Sequence, residues 1–159
     1  MRNTIPKPKD ILAMVDWSNS GYEDLYSGYS KDPLDTDTCY FDSEWHANEW
    51  ADTVQAIFDA LKSEKVIPVY RTIYLADLSD LREDFLGSSW SWEKRAALNF
   101  GRQGGCNYLL TGTAKSSQVD WWASVALYID NSQFYEYEDE FELAIPSGQV
   151  DNLTVEKIR

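Results

Sequence analysis

Apolar residues in this chain repeat at helical spacing early and gather into short extended runs late, and that order constrains the fold more than any other feature. Trp50, Val54, Ile57, Phe58 and Leu61 share one face of a helix predicted from about 42 to 62, with Asp42 or Ser43 as its cap. Residues 65–74 follow as a β-branched, aromatic strand, in which Pro68 predicts an edge position or a bulge. The span 76–87 is an acidic connection with room for a short helix. Ser91 is expected to cap a second helix, 92–100, stopped by Gly101, with Ala96, Ala97 and Phe100 facing inward. Further strands are expected at 107–113, 135–146 and 153–158. Residues 120–130 read either as a strand or as an apolar helical turn leading into one. Helices first and strands after point to an α+β domain rather than alternating βαβ units. Residues 1–41, rich in Ser, Tyr, Asp and Gly, are expected to pack as an irregular or short-helical arm on a single domain spanning 1–159.

A chain of 159 residues, 43% of them apolar and 14% aromatic, can bury a core and is not a disordered acidic tail. No run approaches the roughly 18 apolar residues that cross a bilayer, so no membrane association is expected. The first residues lack the apolar centre of a signal peptide, and the expected location is the cytoplasm, or a host's cytoplasm for a phage-encoded effector. The net charge of −13 disfavours direct binding to nucleic acid and favours basic partners, although acidity also serves solubility. Two distant cysteines, Cys39 and Cys106, with the single histidine, His46, make no zinc site, and no metal is expected. Two free thiols fit a cytoplasmic chain better than one Cys39–Cys106 disulfide. A Ser-His-Asp hydrolase would have to use His46, which falls in a helix beside two tryptophans.

The chemistry-bearing stretch is Glu138-Asp139-Glu140-Phe141-Glu142-Leu143-Ala144-Ile145-Pro146. On an extended segment the carboxylates at 138, 140 and 142 share one side, where like charges repel and raise a pKa. Two upstream pieces give it a context: Val69-Tyr70-Arg71-Thr72, an arginine closing a strand, and Leu86-Gly87-Ser88-Ser89-Trp90-Ser91, a Ser-x-Ser strand running towards a helix. Together the three resemble the arginine–serine–glutamate mono-ADP-ribosyltransferases, the cholera-toxin-like and clostridial-type class. The resemblance covers roughly residues 45–147, and Val119-Asp120-Trp121 is similar to the segment that precedes the family's last strand.

That resemblance implies a split, two-sheet fold with NAD in a central cleft. It also implies transfer of ADP-ribose from NAD to a protein partner, most readily at an exposed arginine. Glu142 would be the carboxylate that stabilises positive charge on the ribose. Ser89 would orient Glu142, and Arg71 would clamp phosphate through its planar fork. Tyr70, Thr72, Trp90 and Ser91 would complete the NAD-binding surface, with Ser91 also a helix cap. Glu140 would bind the acceptor guanidinium and help deprotonate it. Two departures stand beside this: Thr72 takes the place where glycine is common, and Glu138-Asp139-Glu140 also spells Glu-x-Glu.

Each residue has a plainer reading too. Arg71 can be a surface arginine paired with one of many acids, and Ser89 and Ser91 can be loop and cap residues. The glutamates can be the solvated face of an edge strand. Trp50, Trp90, Trp92, Trp121 and Trp122 suit a core as well as a ligand platform. Two other functions fit parts of the sequence: a non-catalytic acidic binding protein that mimics nucleic acid, and an NAD glycohydrolase using the same three residues.

Overall fold

In the computed structural model residues 2–19, 44–134 and 141–159 are described. The longest helix, α2 (Glu44–Ser63), follows the expected stripe: Ala51, Val54 and Phe58 are buried, while Ile57 on the flank is 37% exposed. Phe58 is the hub of this face, with its ring edge-on to Trp92, Trp121 and Tyr128 at centroid distances of 5.7, 6.4 and 5.5 Å. Such edge-to-face pairs add to the stabilisation from burial alone.

The described start of the arm is helical, one of the two forms expected of it. Residues Pro8–Asn19 form helix α1, with proline at its first position, where the missing N–H removes no helical bond. Its Ile11 is fully buried in the main core, and the preceding chain is tied down by the Trp121 N–H donating to the Arg2 carbonyl at 2.9 Å. The remaining residues of that arm, Cys39 among them, lie outside the described residues.

Five strands, all antiparallel, form one open sheet in the order β4-β2-β1-β3-β5. They are β1 (Val66–Ile73), β2 (Ser89–Ser91), β3 (Tyr108–Lys115), β4 (Glu142–Ala144) and β5 (Asp151–Lys157). With helices α3 (Lys94–Gly104) and α4 (Trp121–Phe134) the domain is α+β, as expected. Helices α1, α2 and α4 cover one face through a core that includes Ile67, Val69, Trp90, Leu110 and Leu143. By strand alternation Thr72 points to the other face, where α3 packs on it.

Several expectations change. Pro68 sits in the central strand, not at an edge. It is tolerated because β1 pairs with β3 along its whole length but meets β2 only at Tyr70↔Ser91, leaving Pro68 without a strand on that side. The strand-or-turn span after Asp120 is helix α4, held by Trp121, Val125 and Ile129 at four-residue spacing and capped by the Asp120 carboxylate, which accepts from the Ala123 N–H at 3.1 Å. Apolar neighbours on its other sides had blurred that period. Helix α3 runs past Gly101 and ends at Gly105, whose φ of 70° suits glycine. Among the described residues one sheet, rather than two, carries all the strands. Its two ladders, β2–β4 and β1–β3–β5, are joined by the single Tyr70↔Ser91 pair.

A candidate active site at the joint of the two ladders

Because β1 and β2 part company beyond Tyr70↔Ser91, a gap opens between them, and Arg71 fills it. Its guanidinium donates from Nη1 to the Ser89 carbonyl. Gly87, with φ of 80°, gives the guanidinium room: a Cβ there would lie 3.3 Å from Nη2. The Arg71 Nε–H is buried and has no hydrogen-bond partner among the described residues. Burial pushes the Arg71 pKa below its ordinary value, and the Glu142 carboxylate, with a smaller part from the Cys106 thiol, opposes the shift. Arginine keeps its charge under such conditions, so the gap presents a partly desolvated cation with a spare donor.

Ser89 and Glu142 meet for a reason of register. Ser89 pairs with Ala144 and Ser91 with Glu142, so Ser89 and Glu142 are diagonal neighbours on one face of the β2–β4 ladder. The Ser89 hydroxyl donates to Glu142 Oε1. Arg71, Ser89 and Glu142 therefore share one cleft of about 200 Å³, with Tyr70, Thr72 and Ser91 also in its wall. Helix α3 supplies the opposite wall through Ala96, Ala97 and the half-exposed Phe100.

Of the residues expected in the site, Trp90 is the exception. Alternation along β2 sends its side chain into the main core, where it is 2% exposed, while Ser89 and Ser91 face the cleft. Thr72 lines the cleft but is spent on packing: its buried hydroxyl donates to the Ala97 carbonyl at 2.9 Å, fastening α3 to β1. Ser91 does not cap α3, whose cap position is Glu93. Its hydroxyl instead accepts from the Glu93 N–H at 3.1 Å and donates to the Glu93 carbonyl at 3.0 Å, shaping the turn before the helix. Glu138 and Glu140 lie outside the described residues. Phe141, directly before the first residue of β4, has a left-handed φ of 48°, which is not the extended backbone expected there. Phe141 is held there by the Trp92 N–H, which donates to its carbonyl at 3.0 Å, and by an edge-on Trp92 ring.

No family model, curated protein or solved structure matches this chain. The geometry therefore stands on its own.

Two structural contributors were not legible from the motifs. Ser124, fully buried on α4, donates to the Asp120 carbonyl at 2.7 Å and accepts from the Ala144 N–H at 2.8 Å. Asp120 adds a backbone bond to the Ala144 carbonyl at 2.8 Å, so the outer edge of three-residue β4 is clamped to the start of α4. Ser124→Ala would strand the Ala144 N–H, and a destabilisation of about 1–2 kcal/mol is expected in urea unfolding. Gly101 is the other, a glycine spent on close packing against Thr72. A helix reading treats it only as a stop.

Proposed function

We propose that this protein is a mono-ADP-ribosyltransferase, moving ADP-ribose from NAD to a protein side chain, arginine by preference, with release of nicotinamide. The observation that carries the reading is the meeting of Ser89 and Glu142 across 53 residues, beside an Arg71 that bonds the same serine. All three motifs contribute side chains to one cleft. The reading takes the two ladders joined at Tyr70↔Ser91 as the split sheet of the ADP-ribosyltransferase fold. It assigns the protein to a cytoplasm, in keeping with the buried free thiol of Cys106. No helix among the described residues is long and apolar enough to cross a membrane.

The residues present fit NAD as substrate. The spare Arg71 Nε–H and its partly desolvated guanidinium suit a phosphate oxygen. The cleft, at about 200 Å³, is smaller than the roughly 300–1,000 Å³ that encloses a drug-sized ligand, so it suits one end of the dinucleotide, the nicotinamide ribose. Glu142 then stabilises the positive charge that grows on the ribose as the bond to nicotinamide breaks. Ser89 donates to one carboxylate oxygen and so fixes the orientation in which Glu142 meets the ribose.

Incubation with NAD and a mixture of host proteins tests this. Nicotinamide release with a matching ADP-ribose mass on arginine is the expected result. Ser89→Ala should lower the release by about tenfold or more, as expected for a lost orienting bond. Release without protein labelling would reassign the cleft to NAD hydrolysis. Absence of both release and any NAD-induced rise in Tm would return the protein to the class of non-catalytic acidic binders.

A further inference from the structure

β5 ends the strand order of the sheet, and its outer side has no strand partner among the described residues. Its inner side pairs with β3 from Thr111↔Thr154 to Tyr108↔Lys157, and the Ile158 N–H donates to the Asn107 carbonyl at 2.9 Å. Backbone groups alternate sides along a strand, so Thr154, Glu156 and Ile158 direct theirs at β3. Leu153, Val155 and Lys157 therefore turn theirs outward. No proline interrupts this run. The irregularity of the ladder lies before it, between Thr113↔Asp151 and Thr111↔Thr154, where Asn152 has a left-handed φ of 54°. An edge strand with free outward groups is a template for another strand, unless its charges repel the newcomer. Here the charges select one. Asp151 stands at one end and Lys157 at the other, both exposed, and neither has an ion-pair partner among the described residues.

We infer that β5 is a docking edge for a second copy of this chain, paired antiparallel with its own β5 about a two-fold axis at Thr154. Alternation allows only registers in which outward residues face outward residues. With the axis at Thr154, Leu153 faces Val155 of the second copy, and the two exchange their outward backbone bonds. Asp151 then faces Lys157, Asn152 faces Glu156, and Thr154 faces itself. Each pair matches in character: apolar with apolar, carboxylate with ammonium, amide with carboxylate, hydroxyl with hydroxyl. Symmetry makes each unlike pair occur twice. An axis at Val155 would set Leu153 against Lys157, and an axis at Leu153 would set Asp151 against Val155, so one register is selected. Leu153 and Val155 are only half-buried against the core, and the second copy covers their open flanks. The net charge of −13 opposes association at long range, but physiological salt screens it beyond about 8 Å, and the paired charges are closer than that. The edge is short, so the dimer is weak, with a Kd on the order of 10–100 µM. The two-fold axis of an antiparallel pair stands perpendicular to the sheet, which puts both α3 helices on the same side of the joined sheet. The two β1 strands are then about 24 Å apart. Neither cleft is blocked, and the inference holds whether or not the cleft turns over NAD.

Sedimentation equilibrium of the whole chain at about 0.15 M salt tests this. The expected result is a mass that rises from one chain towards two between about 1 and 500 µM, and a single-chain mass throughout overturns the proposal. Charge reversal reads the pairing. Lys157→Glu and Asp151→Lys each set like charges opposite one another and should weaken association about tenfold. The D151K/K157E variant restores unlike pairs and should return association to near the parent value. Both positions are exposed, so an unchanged Tm should accompany all three variants. Net charge alone gives a different order. Asp151→Lys makes the chain less acidic and would then strengthen the dimer, a result that overturns the pairing. Mild oxidation in a Cys39→Ser background locates the axis. The two Thr154 Cα atoms would lie about 4.5 Å apart, within reach of a disulfide, whereas the two Glu156 Cα atoms would lie about 14 Å apart. Thr154→Cys should therefore give a covalent dimer rapidly, and Glu156→Cys should not. Equal cross-linking at the two positions, or none at Thr154, overturns the proposal.

Discussion

Glu142→Gln is expected to reduce nicotinamide release by about 10²–10³-fold, the range seen when one preorganised electrostatic stabiliser is lost. The substitution is chosen because it removes charge and little else. Glutamine keeps the shape of the side chain, and its amide oxygen can still accept from the Ser89 hydroxyl. What disappears is the field that opposes desolvation of Arg71 and, on the proposed transferase reading, the negative charge beside the ribose. The KM for NAD should change far less than kcat, because the charge acts on the transition state more than on the bound ground state. Glu142→Asp supplies the geometric counterpart. It restores charge but is one methylene shorter, so it withdraws from Ser89 and should recover only part of the rate. Full activity in Glu142→Gln, at an unchanged Tm, would remove Glu142 from the chemistry and the reading with it.

A reading by residue type alone leaves 138, 140 and 142 equivalent. The apolar exit Leu143-Ala144-Ile145-Pro146 singles out 142 through the family resemblance, and the burial of Leu143 and Ile145 puts Glu142 on the opposite face of the strand. The partners Arg71 and Ser89 were likewise legible as strand-end and strand residues. Other features depend on tertiary context that one sequence does not carry. Trp90 follows strand alternation, but which face of β2 meets the core is decided by α2 and α4. Pro68 signalled an edge but stands in the central strand, where β2 is too short to reach it. Helix α4 hid its period under an excess of apolar residues. The left-handed turn at Phe141 follows from its contacts with Trp92, a residue 49 positions away, and no local rule anticipates a phenylalanine there.

The packing of α3 makes a prediction in which two glycines of one helix respond with opposite signs. Replacing glycine by alanine inside a helix gains about 1 kcal/mol in propensity, a term that Gly101 has in full and Gly104, the last helical residue, only in part. Their surroundings differ. A Cβ on Gly104 would meet only the Cys106 Sγ, at 3.8 Å, an ordinary contact. A Cβ on Gly101 would fall 2.6 Å from Thr72 Oγ1 and 2.7 Å from Thr72 Cβ and Cγ2, closer than such atoms approach. Thr72 is branched, buried and bonded to the Ala97 carbonyl, so it has no free rotamer in which to yield. Helix α3 must lift instead, at about 1–3 kcal/mol for overpacking and about 1 kcal/mol for the strained or lost hydrogen bond. The net expectation is a loss of about 1–3 kcal/mol for Gly101→Ala, read in urea unfolding, against a small gain for Gly104→Ala. The same displacement reaches the site, because Ala96, Ala97 and Phe100 are the helical wall of the cleft. Gly101→Ala should therefore raise the KM for NAD while Gly104→Ala leaves it unchanged. Equal stabilisation by both substitutions would mean that α3 does not bear on Thr72 as closely as described, and that the cleft wall is set by something other than this contact.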